Sequence, residues 1–300
     1  MSKSRNRIKT LLFSIFMLLG MGLFAQVDKL DRARQLQQAK DINNAILAID
    51  SVVKHPDTKN DFTAWTIRAF IYFDKYKQTD RLKLNSDLRD TIISSIKKSN
   101  SLKPDAEFTS NNKKIITSIS AGYYNQAKSL LQDSLNEVRS LKAYNKYKET
   151  FLISEPTADL TAKDIEYNLA VGSIFSDIFI RDNTNIKAQN TAKAALQKVL
   201  DKQPDNPSAN INMGLMYFNN AVNLTKSLGY DADISQVNAV QETIVKLAKQ
   251  SEQYIYKVYK NDNKNSRAVL ALYYIYRMLF DIKKSDEFKQ KCRELNISLD

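Results

Sequence analysis

Apolar and small residues recur along this 300-residue chain at helical spacing, and the stripes they make are followed by proline at a regular interval. Ala45, Ile49 and Val52 precede Pro56; Ile92, Ile96 and Ser99 precede Pro104; Ala143, Tyr147 and Thr150 precede Pro156; Ala192, Leu196 and Val199 precede Pro204. Positions i, i+4 and i+7 share one face of a helix, and a proline beyond the last of them stops it, because the ring has no N–H to donate and clashes with the preceding turn. The four prolines lie 48, 52 and 48 residues apart. A second pattern begins after them. Trp65, Ala69 and Tyr72, then Gly172 and Phe175, then Met213, Gly214 and Tyr217, then Leu270, Ala271 and Tyr274 each set a very small residue three positions before an aromatic one. The small residue lets a partner helix come close, and the aromatic ring fills the next gap on the same face. Opening and closing helices therefore alternate.

Written across two antiparallel helices, an aromatic, a small residue, a tyrosine, then apolar residues and a proline resemble a tetratricopeptide repeat. Trp65, Ala69 and Tyr72 leading to Ile92, Ile96 and Pro104 resemble one whole unit, and Gly172 and Phe175 leading to Ala192, Leu196 and Pro204 another. In the stretch Lys202–Ala221, Pro204 closes one unit, Pro207 opens the next in a first helical turn, and Gly214 is the packing gap. The spacing exceeds the family's ~34 residues. Longer helices or insertions must make up the difference, and "QTDRLKLNSD" and "KSLGYDADISQ" read as insertions. Phe108–Leu131 carries no clean small-plus-aromatic signature, and "NDNKNS" at 261–266 stands where a fifth proline is expected. The expected fold is an all-α solenoid of about six antiparallel helix pairs between residues 27 and 297, in the right-handed superhelix that the resemblance implies.

Six glycines and five prolines are few for this length and favour helices independently of periodicity. The first 26 residues place Lys3, Arg5, Arg7 and Lys9 before an apolar run from Leu11 to Phe24, the layout of a secretory signal peptide. The expected division is residues 1–25 as a cleaved signal and 26–300 as the repeat domain. The run is shorter than the ~20 residues of a spanning helix, so no spanning segment is expected after cleavage. The expected location is the periplasm of a Gram-negative cell. The formal charge of +12 falls to about +8 once the four N-terminal basic residues leave. The remaining lysines alternate with acids at helical spacing, as on a solvated helix face, so nucleic acid is not an expected partner. Association with an acidic envelope surface stays open.

Chemistry is sparse. Cys292 is the only cysteine and shares a helical face with Phe288 and Leu295, so a buried thiol is expected. His55 is the only histidine and falls in a turn. Histidine and cysteine metal clusters are therefore impossible, and no phosphate loop or nucleophile elbow occurs. Asp57, Asp61 and Asp74 read as turn residues and helix caps. No enzyme activity and no cofactor is expected.

The resemblance implies a protein or peptide partner held on the concave face that opening helices line. Counting on from each small residue marks Phe70, Phe73 and Asp74; Ser173, Ser176 and Asp177; Leu215, Phe218 and Asn219; and Leu272, Ile275 and Tyr276. The Lys and Asn clamp by which some members hold C-terminal carboxylates is not seen at these positions. The alternative is a carbohydrate or envelope polymer bound by a surface of Tyr254, Tyr256, Tyr259, Tyr273, Tyr274 and Tyr276.

Overall fold

In the computed structural model the stripes become helices. The structure describes residues 28–83, 85–103, 109–132, 136–227, 229 and 233–299. Twelve helices and no strand occur among them. The first six are α1 (28–38), α2 (Ile42–Lys54), α3 (Phe62–Thr79), α4 (Asp87–Leu102), α5 (Thr109–Gln132) and α6 (Glu137–Ser154). The other six are α7 (Thr161–Arg181), α8 (Ile186–Leu200), α9 (Pro207–Ser227), α10 (Ile234–Asn261), α11 (Ser266–Met278) and α12 (Ile282–Glu294). The architecture is all-α and of solenoid type, built from consecutive helix pairs. The expected signal at residues 1–25, with Pro104 and Phe108, lies outside the described residues. No described helix is long and apolar enough to cross a membrane.

The closing stripes are buried in α2, α4, α6 and α8, as expected. Ser251, Ile255 and Val258 repeat the spacing in α10, where no proline follows. There Asp262 and Asn265 make the turn instead: Asp262 accepts from the Lys264 N–H, and Asn265 caps α11 by accepting from the Ala268 N–H at 3.1 Å. The turn "DNTN" before α8 has the same construction through Asp182 and Asn185. Aspartate and asparagine hold these turns because their short side chains reach the free N–H groups of a first helical turn. The missing proline is thus replaced by a cap.

The small residues mark true crossings. A Cβ on Gly172 would lie 2.5 Å from Leu196 Cδ2, and one on Gly214 would lie 2.6 Å from Ile255 Cγ1 and 3.2 Å from the Ser251 carbonyl oxygen. Ser251 Oγ donates to the Gly214 carbonyl at 2.7 Å, so α9 and α10 touch backbone to side chain. The segment without a clean signature is α5. Its Gly122 faces Tyr76, with the Oη 3.2 Å from an added Cβ, and Tyr124 packs on Tyr144 and Tyr147 of α6. The long spacing comes from helices of 15 to 24 residues in α3 to α8 and from the connection between α3 and α4.

The contacts divide the chain into two compact units. The first runs to Leu130 and takes in Val138–Ala158; the second holds Asp159 onward. Polar groups run through the first unit's packing: Arg68 Nε meets Asp50 at 2.7 Å and its Nη1 donates to Ser95, while Thr66 and Ser99 hydroxyls lie 2.6 Å apart. The second ends in an apolar and aromatic core of α9 to α12, including Ile255, Leu272, Ile275, Tyr276, Phe288 and Cys292. Cys292 is buried, as its face predicts.

Candidate functional site

In the first unit, the expected groove residues sit on α3. Phe70 and Phe73 are half-buried. Phe73 stacks on Tyr76 with ring centres 6.2 Å apart, and the Lys77 ammonium lies 5.0 Å from its ring centre. Asp74 accepts from Gln37 Nε2 at 2.7 Å and pairs with Lys77 at 2.8 Å, so it ties α1 to α3. Phe73 lines a cavity of about 630 Å³, walled by α3 and α5 and by the connection into α4. Lys77, Arg81, Lys83 and Arg89 line it as well.

Arg89 is 2% exposed. Its guanidinium donates to Tyr76 Oη at 3.2 Å, Gln126 Oε1 at 2.8 Å and the Lys83 carbonyl at 2.9 Å, and lies 4.9 Å from the Tyr123 ring centre. One side chain thereby gathers α3, α4, α5 and the connection. Asp80 anchors that connection: Lys83 Nζ reaches it at 2.6 Å and Ser86 Oγ donates to it at 2.8 Å. These bonds favour the carboxylate and hold its pKa down at about 2, the Lys83 hydrogen bond contributing most.

In the second unit, Phe218 lines a cavity of about 470 Å³ formed by α9, α10, α11 and the turn after α11. Val237, Ile244, Val245, Met278 and Phe280 make its lining mainly apolar. Arg277 stands among them, donating to Tyr273 Oη at 3.3 Å, and takes part in no ion pair among the described residues. Phe280 is 72% exposed and holds φ at 55°, the left-handed region that side chains with a Cβ avoid. The turn demands that conformation: the Asp281 N–H reaches back to the Tyr276 carbonyl and closes the end of α11. Lys40 and Asn296 occupy the same place after α1 and α12.

The remaining expectations scatter. Asp177 is exposed on α7, whereas Ser176 is buried and Ser173 accepts from Asn212 at 2.9 Å. Leu215 and Asn219 are half-buried, Leu215 against the terminal core. Leu272, Ile275 and Tyr276 require correction: all three are buried, and Tyr276 donates to Glu252 Oε1 at 2.7 Å. Burial, and then Glu252, push its phenol pKa up. They were expected on a free face because α11 was counted as one-sided, yet it is packed by α9, α10 and α12 together.

The C-terminal tyrosines are packing as well. Tyr259 meets Phe288 edge-on at 4.9 Å, Tyr254 stacks on Tyr217, Tyr273 is buried, and of the six only Tyr256 is largely exposed. No flat aromatic surface for a sugar results. His55 Nδ1 accepts from the Asp57 N–H at 3.4 Å in the turn after α2, and Asp61 caps α3. Among the described residues no cluster of three acids, histidines or cysteines could hold a metal ion.

Sequence reasoning missed Arg81, Arg89, Val237, Arg277 and Phe280. The insertion "QTDRLKLNSD" was visible, but nothing local says that it folds against α5. A signal for Phe280 existed in the matching "KDI" of Lys40–Ile42 and "FDI" of Phe280–Ile282, since both put a non-glycine residue where the chain turns left-handed.

Helix pairs crossing at small residues, with the proline-spaced closing stripes, make this an all-α protein of solenoid type whose repeat resembles the tetratricopeptide pattern. No protein-family model matches the chain, and no curated protein matches it either. Among solved structures it is similar to PilW, a type IV pilus biogenesis factor, at 16% identity over 90% of this chain and 93% of that one, with a TM-score of 0.30. It is also similar to Nro1, a nuclear import adaptor of S. pombe, at 15% identity over 92% and 89%, with a TM-score of 0.36. Human IFIT1 in complex with m7Gppp-AAAA shares 15% identity over 88% of this chain and 49% of that one, with a TM-score of 0.34.

Proposed function

We propose that this protein is an exported, non-catalytic scaffold that holds a protein or peptide partner on the faces of its opening helices. One observation carries the proposal: a mainly apolar groove around Phe218 stays open in the second unit, although the neighbouring apolar residues of α11 are buried. Open apolar surface next to a packed core is stabilised when a partner covers it. The basic and apolar layout of the first 26 residues supports export, with the periplasm of a Gram-negative cell as the proposed location.

The test is a photo-crosslinking amino acid placed at Val245 in the groove, with Lys198 on the exposed face of α8 as control, in living cells. A discrete protein adduct at 245 and none at 198 is expected. Failure to trap protein at any groove position, Phe73 and Phe218 included, would remove the scaffold. Recovered protein should begin at Gln26 or Val27; an intact Met1 in a membrane fraction would overturn export.

A further inference from the structure

We infer that the groove of the second unit receives an amphipathic helix from the partner, carrying a carboxylate that meets Arg277. The inference rests on the scaffold reading and names the chemistry of its occupant.

Three independent features converge on one place. The first is an apolar strip wider than the cavity: Ile234, one turn before Val237 on the same face of α10, is 80% exposed. A strip of that kind between helices suits the ridge of another helix, with apolar residues at i, i+3, i+4 and i+7. The second feature is Phe280 itself. A phenylalanine there combines a backbone conformation it disfavours with an aromatic ring in water, and asparagine fills the equivalent place after α12. Two local penalties at one groove-lining residue point to a contact made only in a complex.

The third feature is charge. Lys284 is held by Glu252 at 3.8 Å and Asp281 at 3.7 Å, and Lys257 by Asp205 at 3.3 Å. Among the described residues, the Arg277 guanidinium on the groove meets the phenol of Tyr273 and its ring, 5.6 Å away, and no carboxylate. A guanidinium among apolar residues is complemented by a carboxylate whose own neighbours are apolar. An acidic residue flanking the apolar face of a helix has that arrangement.

The experiment uses the purified full chain and fluorescein-labelled synthetic helices of roughly 16 residues. One has leucines along a single face flanked by glutamate, one carries lysine in place of the glutamate, and one is a scramble. Fluorescence anisotropy should show the glutamate peptide binding at least ~10-fold more tightly than the lysine peptide, and Arg277→Gln should close that gap. Phe280→Asn should weaken both peptides while raising the melting temperature, because asparagine accepts the left-handed conformation more readily. A purely structural phenylalanine would not move binding and stability in opposite directions. Equal binding of the scramble, a charge preference that survives Arg277→Gln, or unchanged binding with Phe280→Asn overturns the inference. So does oleate binding in the groove while all three peptides fail, which would assign it to an acyl chain. Should every peptide fail while crosslinking at 245 still traps a protein, the scaffold stands and this inference falls; failure to trap protein at 245, 218 and 73 alike removes the scaffold itself.

Discussion

The two grooves share a construction and differ in lining. In the first unit, Phe73 looks onto Lys77, Arg81, Lys83 and Arg89, and the wall is built from polar bonds. In the second, Phe218 looks onto valine, isoleucine, methionine and Phe280, with Arg277 a cation that takes part in no ion pair among the described residues. The repeat constrains where helices cross, because a side chain at Gly172 or Gly214 has nowhere to go. The residues beside the crossing carry no such constraint. A repeat of one architecture can therefore present a cationic wall in one unit and an apolar one in the other.

The sharpest way to break that contrast is at Tyr276. Its ring is buried against Phe288, so Tyr276→Ala should destabilise by about 3 to 5 kcal/mol, whereas Tyr256→Ala on the surface should stay within about 0.5 kcal/mol. Urea denaturation measures both. An unchanged midpoint for Tyr276→Ala would return that residue to the groove and widen the second site.

Glycines separate the units next. Gly214→Leu should cost about 1 to 3 kcal/mol by overpacking, since Ile255 and the Ser251 carbonyl block the space. Gly122→Ala should stay within about 1 kcal/mol of neutral, because the helix propensity alanine gains offsets the few tenths of an ångström that Tyr76 Oη, 3.2 Å away and held by Arg89, must give. The same denaturation curves decide. Equal losses at both positions would show that the first groove is as rigid as the second.

Arg89→Met should cost about 1 to 3 kcal/mol by stranding Tyr76 Oη, Gln126 Oε1 and the Lys83 carbonyl. The loss should appear as faster amide exchange in α3 to α5 with α9 to α12 unaffected. Exchange rising in α9 to α12 would mean that the units do not behave separately.

The smallest effect is a pH dependence. Asp80 is held at about 2 against an ordinary 3.8, so its contribution is complete above the ordinary value and is lost as pH falls through about 2. Acid should thus loosen the first groove's connection, and Asp80→Asn should flatten that dependence. Carboxyl chemical shifts report it directly, and an Asp80 titrating near 3.8 would leave the connection unanchored.

The sequence by itself determined the helices, their closing stripes and the crossings at Gly172 and Gly214, whereas the Asn265 cap in place of a proline and the contact at Gly122 came from the structure. Each stripe is encoded within a few helical turns, so Ile92 and Ile96 suffice to specify one. Phe73 and Phe218 were legible as residues off the packed stripe for the same reason, being offset from Ala69 and Gly214 by a fixed rotation, and both line cavities. Tyr276 was not, because its burial depends on α12 arriving from beyond the turn at Phe280. Only the tertiary structure decided that Arg89 would be enclosed by residues from three other segments, and that Phe280 would stand across a groove from a phenylalanine more than sixty positions earlier. Local spacing fixes which face a residue takes on its own helix; what covers that face is set by chain segments that the spacing does not reach.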